Sequence, residues 1–317
     1  MAFRIRAPRG RYRRPTSRAA KKSYGGSRSR RSYRKKRTYR KRKSPRKAIL
    51  NLTSTKKRNT MLQYANTSSV NGTSVNIGPG PYLVNGATGG FSIFCPTAMD
   101  LTEKSGANNS VVNVAERNST TCFMRGFSED LRVQTSTGVP WFWRRITFCS
   151  KAGGVFGVFF AGDTPTQTNG GETSYTDTSN GMERIWFNQN VNNAPLTVTG
   201  IQAILFKGVI NKDWVDPLTA PLDTARIDVK SDVTKCIRSG NASGTVMQQK
   251  CWYPMNKNLV YDDDEAGEME VSTYTSVVDK RGMGDYYIID IFTVGTGGGT
   301  ADLLQVTSTS SIYWHEK

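Results

Sequence analysis

Phosphate-binding side chains are the densest chemical feature of this chain. Residues 1–58 hold twenty-five lysines and arginines and no acidic residue; the first carboxylate is Asp100. The cations are Arg4, Arg6, Arg9, Arg11, Arg13, Arg14, Arg18, Lys21, Lys22, Arg28, Arg30, Arg31, Arg34, Lys35, Lys36, Arg37, Arg40, Lys41, Arg42, Lys43, Arg46, Lys47, Lys56, Lys57 and Arg58. Each one laid on a phosphate releases condensed counterion, so such a segment binds nucleic acid by charge count and weakens steeply with salt. Tyr12, Tyr24, Tyr33 and Tyr39 sit among the charges, where their rings can stack on unpaired bases and favour single strands. No recognition-helix, zinc-finger or RRM signature accompanies them, so sequence-specific reading is not expected. Within this arm, Arg30, Arg31, Arg34, Lys35, Lys36, Arg37, Arg40, Lys41, Arg42 and Lys43 also have the composition of a nuclear-import patch. Import alone needs fewer charges than this, so packaging of a polyanion is the primary expectation and import a second use of the same residues.

Catalytic chemistry has little to work with. The single histidine, His315, lies near the C-terminus with no triad-like or multi-histidine partners, and reads as a surface or interface side chain. Phosphate-loop and nucleophile-elbow patterns are absent. Five widely spaced cysteines (Cys95, Cys122, Cys149, Cys236, Cys251) include no C-x-x-C pair, so buried free thiols are expected and structural zinc is not. No catalytic residue, metal or cofactor is therefore expected. Two further segments are site-like. Asp262, Asp263, Asp264, Glu265, Glu268 and Glu270 form an acidic cluster without EF-hand spacing. It suits a divalent cation at a subunit contact, an outer loop meeting a host factor, or simply a solvated hairpin, the last being favoured. Pro140-Trp141-Phe142-Trp143-Arg144-Arg145 sets three aromatics beside two arginines. It suits base stacking, or a strand filling core and interface with its arginines paired to acids; the second is favoured, with Arg144 and Arg145 kept as candidates for nucleic-acid contact.

Two kinds of element must carry these groups. Residues 1–47 have too little apolar surface and too much like charge to offset the entropy of ordering, so a disordered arm is predicted there when free. Of 44 basic residues, 19 remain after residue 58 against all 25 acidic ones, so residues 59–317 carry a net −6 within a chain of net +19. The charge asymmetry assigns the two parts different jobs. Residues 48–60 read as the join, with Ile49, Leu50 and Leu52 predicted to lay a first strand on the body. From there, runs rich in β-branched and aromatic residues recur between turn residues. Strands are predicted at 91–95, 119–135, 141–150, 154–161, 182–188, 203–210, 225–238, 245–261, 286–294 and 303–314. Long loops are predicted at 66–90, 100–116, 162–181, 188–200 and 211–224. No long segment shows a 3.6-residue apolar period. An all-β domain of residues 48–317, an antiparallel sandwich of the jelly-roll kind, is the expected fold. No secretory h-region and no apolar run long enough to span a bilayer is present, so no membrane partner is expected.

At this point the basic arm, TSTKKRNTM (53–61), RNSTTCFMRGFSEDLRVQTSTGVPWFWRRITF (117–148) and the terminal IYWHEK (312–317) together resemble the capsid protein of genomoviruses. These are small circular single-stranded DNA viruses of the gemycircularvirus kind, distantly similar to geminiviruses. PWFWRR and YWHEK are the specific parts. The resemblance implies a jelly-roll coat subunit that assembles into a small icosahedral shell around circular single-stranded DNA, enters the host nucleus through import receptors, resides in the virion and performs no catalysis. About 60 subunits, the smallest icosahedral count, would bring roughly 1,500 arm charges inside the shell. The alternatives are a non-viral nucleic-acid-binding structural protein of ribosomal or chromatin type, which should keep a basic body, and a tethered nuclease or ligase, which lacks the residues for its chemistry.

Overall fold

A computed structural model describes residues 45–151 and 153–317, and its compact body begins at Arg46. In chain order, helix α1 (Pro45–Thr53) leads into β1 (Thr55–Met61), β2 (Gln63–Thr67), β3 (Ser74–Pro79), β4 (Tyr82–Asn85) and β5 (Gly90–Phe94). Two long strands follow, β6 (Thr121–Thr135) and β7 (Trp141–Ser150), then β8 (Thr176–Thr178), β9 (Gly181–Trp186) and helix α2 (Pro195–Leu205). The remainder is β10 (Asp228–Ile237), β11 (Val246–Val260), β12 (Asp264–Ala266), β13 (Met269–Val271), β14 (Asp285–Val294) and β15 (Leu303–Glu316).

The fold is all-β, as the recurrent β-branched and aromatic runs predict. Two principal sheets carry it: β1-β15-β6-β11, with β4 also pairing β15, and β10-β7-β14-β5. Every pairing within these two sheets is antiparallel. β6 and β15 alternate buried and outward residues along nearly their whole length, while β14 is buried through its first eight residues. Such alternation places one face inside and one outside, and the two inner faces pack together in two core clusters, the smaller around Leu131, Val133, Trp141, Trp143 and Phe292. Met61, Met124, Phe127, Leu259, Ile312 and Trp314 of the first sheet pack with Phe91, Ile93, Ile146, Phe148, Ile288 and Ile289 of the second. A third sheet, β3-β2-β9-β8, contains the parallel pair β2–β9. Its strand β9 packs on both β1 and β5, along the side where the two principal sheets have those edges. Toward the opposite edges, β10 and β11, a cavity of about 260 Å³ reaches Trp143, Arg145 and Tyr253.

Several expectations need correction. Residues 45–53 form a helix rather than a first strand; Pro45 opens it, suiting the first helical turn where its missing N–H costs nothing. Its Ile49, Leu50 and Leu52 remain exposed. The segment 203–210 is not a strand, since its first residues complete α2. Along 154–161 a 3-10 turn at Gly153–Phe156 replaces the predicted strand, and Phe156 plugs the core against Phe148 and Tyr287 at 5.1 and 5.2 Å. The predicted loop 66–90 contains β3, β4 and the start of β5, and 188–200 contains the first part of α2.

Candidate nucleic-acid interface

Arg4 through Lys43, including the whole import patch, lie outside the described residues, as do the side chains of Arg46 and Lys47. The described part of the candidate interface begins where the chain joins the body. β1 alternates, so Lys56 and Arg58 point outward and Lys57 inward. Lys56 Nζ donates to the Asn51 carbonyl at the end of α1 (3.0 Å). Lys57 is buried in an ion pair with Glu316 (3.1 Å) and donates to the Glu116 carbonyl (2.7 Å) and to Asn118. Its ammonium ties β1 to the C-terminal strand and is withdrawn from solvent, so this one of the three cations is not presented to a phosphate.

Arg144 and Arg145 are likewise buried, and both are paired to acids. Arg144 makes a forked contact with Asp232 on the neighbouring β10 (2.9 and 2.7 Å) and donates to the carbonyls of Pro217 and Ala220. Arg145 grips Asp290 of β14 through two bonds (2.6 and 2.9 Å) and also reaches Glu129 of β6. Glu129 accepts a second arginine, Arg184 of β9 (2.8 Å), which also approaches Asp290 (3.4 Å). Two cations and two carboxylates thus neutralise one another between the sheets. Arg184 lies 3.9 Å from the Trp186 ring centre and 4.3 Å from that of Phe94, and Trp143 Nε1 donates to Asp290 (2.7 Å). Burial pushes the Glu129 carboxyl up, but Arg145 and Arg184 outweigh it and hold the group below its ordinary range. The aromatic-arginine segment is therefore core and internal pairing, and its two arginines are buried against acidic partners.

The acidic cluster divides. Asp263 is buried in a forked pair with Arg117 (2.5 and 2.9 Å), whose guanidinium sits 3.7 Å from the Tyr261 ring centre. Asp262, Asp264, Glu265, Glu268 and Glu270 are exposed on and beside the small β12–β13 hairpin. No cluster of metal-ligating side chains occurs among the described residues. Cys95, Cys122 and Cys149 are buried free thiols as expected; Cys236 is exposed and Cys251 half-buried, because both lie on strands at sheet edges. Burial pushes the Cys149 thiol up to about 12.

Sequence reasoning missed the outward face of β1-β15-β6-β11. It carries Lys56 and Arg58 from β1, Tyr313 and His315 from β15, Phe123, Arg125 and Arg132 from β6, and Lys250 and Trp252 from β11. Arg58 is opposite Tyr313 and Lys56 opposite His315. Asp130 is the one carboxylate pointing the same way along these four strands, and Lys250 lies 3.5 Å from it. Burial, then Arg125 and Lys56, press the His315 pKa below its ordinary value, so the imidazole stays neutral more readily. Strand alternation alone assigns each residue a face, but which strands are neighbours is not local information.

No family model matches the chain, and no curated protein is significantly similar to it.

Proposed function

We propose that this protein is a viral coat subunit: a jelly-roll body that assembles into a small closed shell and packages single-stranded DNA through its basic N-terminal arm. One observation carries the reading, namely the join of an acid-free N-terminal stretch, with twenty-five cations up to Arg58, to a two-sheet body that is net acidic beyond it. The strand order supports the finer fold. Counting only β1, β5, β6, β7, β10, β11, β14 and β15 as first to eighth, one sheet reads 1-8-3-6 and the other 2-7-4-5. That interleaving is the pattern of two nested Greek keys in a jelly roll.

The mechanism is electrostatic and multivalent. Arms condense the genome without reading sequence and raise the local concentration of bodies. Weak contacts between bodies, repeated about 60 times, then close the shell. The exposed acidic β12–β13 hairpin disfavours adhesion of DNA to the surface around it. Before assembly the same arm, through residues 28–47, engages host import receptors and carries the subunit to the nucleus.

Electron microscopy of purified full-length protein, with the absorbance ratio at 260 and 280 nm, tests the proposal. Closed shells containing nucleic acid are expected. Monomers or small oligomers in the presence of single-stranded DNA would favour the non-viral binding protein and reject the coat reading.

A further inference from the structure

We propose that the outward face of β1-β15-β6-β11 is a second nucleic-acid contact on the folded body, a platform on which unpaired bases stack against Trp252 and Tyr313. The inference rests on the packaging reading above and adds an ordered site to its arm. Trp252 is 50% exposed in the interior of its strand, whereas the other five tryptophans are buried. Its exposure is built into the sheet. The ring lies across Gly126 of the adjacent strand, where an added Cβ would come within 2.7 Å of it. Tyr313 meets the ring edge-on at 5.7 Å between centres. Gly126 pairs with Tyr313 on one side and Pro254 on the other, so a side chain there would push the indole off the sheet. A held, half-exposed indole beside a tyrosine is a π surface that accepts any base, because every base has a stacking face.

Charge selects the occupant. Arg58 is opposite Tyr313 across the strand pair, and Arg125 precedes Gly126. Both are exposed, neither has a carboxylate partner among the described residues, and both suit phosphates either side of a stacked base. A two-fold contact with the same face of another subunit would set these cations against themselves. Continuity with the arm points the same way. Arg58 follows the arm in the chain after the uncharged stretch 48–55 and lies on this sheet, so the platform and the arm are close neighbours in sequence. Single strands rather than duplex are the fitting ligand, since duplex bases are already stacked.

Ultraviolet cross-linking of the full-length protein to oligothymidylate, with peptide mapping, is the test. Adducts are expected on peptides carrying Trp252 or Tyr313 in addition to those of the arm. Adducts confined to residues 1–47 would overturn the platform and leave packaging by the arm intact; no adduct anywhere would reject both. As a second measurement, Trp252→Ala in the full chain should weaken oligothymidylate binding about tenfold at salt high enough to screen the arm, while Trp252→Phe restores most of it. An unchanged affinity together with lost shell assembly would make this face a subunit contact and overturn the proposal. Trp252 packs at the surface, so an unaltered melting midpoint serves as the folding control.

Discussion

The buried ion network sets what single residues can tolerate. Glu129 serves two arginines on two different strands, so its loss would leave Arg145 and Arg184 sharing Asp290 alone. Removing one member of such a set exposes an uncompensated buried charge, and Glu129→Gln should cost about 3–5 kcal/mol by chemical denaturation. Because its folded pKa is depressed, the stabilisation from Glu129 is complete above the unfolded carboxylate value and is lost as pH falls through the folded one. Asp263 behaves alike: burial pushes it up, but Arg117 overcomes this and holds it low. Asp285 has the opposite sign. Burial raises its carboxyl to about 7 despite hydrogen bonds from the Ser276 amide and hydroxyl. The folded state then holds the proton more tightly, so this group's contribution falls as pH rises from about 4 to about 7. Asp285→Asn removes the titration. Its stability relative to the unaltered protein should improve across that window, and denaturation curves at several pH values that show no such trend would contradict the assignment.

At the level of elements, close strand approaches are held open by glycine. Gly126→Ala brings a Cβ to 2.6 Å from the Tyr253 carbonyl and against the Trp252 ring. The β6–β11 pairing should weaken by about 1–3 kcal/mol, read as a lowered denaturation midpoint. Most strands were legible in the sequence. β7 lies where 141–150 predicts it, and β10, β11, β14 and β15 fall within three residues of their predicted ends. Helix α2 was not legible, for physical reasons. Its buried stripe is only Thr197, Ile201 and Leu205, and its interior holds β-branched residues and Gly200. Gly200 is there because the Phe160 ring packs where a Cβ would stand. The start of α2 is capped from a distance: Asp163 accepts from the Leu196 and Thr197 amides at 3.0 and 2.7 Å. With its cap 33 residues upstream, α2 has no capping side chain at Ala194, and Pro195 in its first turn is a weak start signal on its own. The arm's charge was legible outright. The inward turn of Lys57 was not, since its partners Glu316, Glu116 and Asn118 come from remote parts of the chain.

For the whole molecule, function follows from how charge and core are divided. Residues 46–317 hold the sandwich and all of its buried pairs. Deleting residues 1–47 should therefore leave a folded body, seen as a retained cooperative melt, while nucleic-acid content of the purified protein falls to background. Retention of full-length genome would contradict the arm's role. Binding of the isolated arm to single-stranded DNA should drop steeply between low and moderate salt, because many counterions are released per molecule; a flat titration would argue for another mode. Residues 28–47 fused to a fluorescent reporter should accumulate in nuclei, and cytoplasmic retention would remove the import role. The pairing of β1 with β15 has an engineering corollary. Thr55 stands opposite Glu316, so the start of β1 and the end of β15 leave the sheet side by side. Under the coat-subunit proposal, a passenger domain appended after Lys317 should be enclosed with the packaged DNA, whereas a peptide meant for display belongs in the exposed turn between β12 and β13.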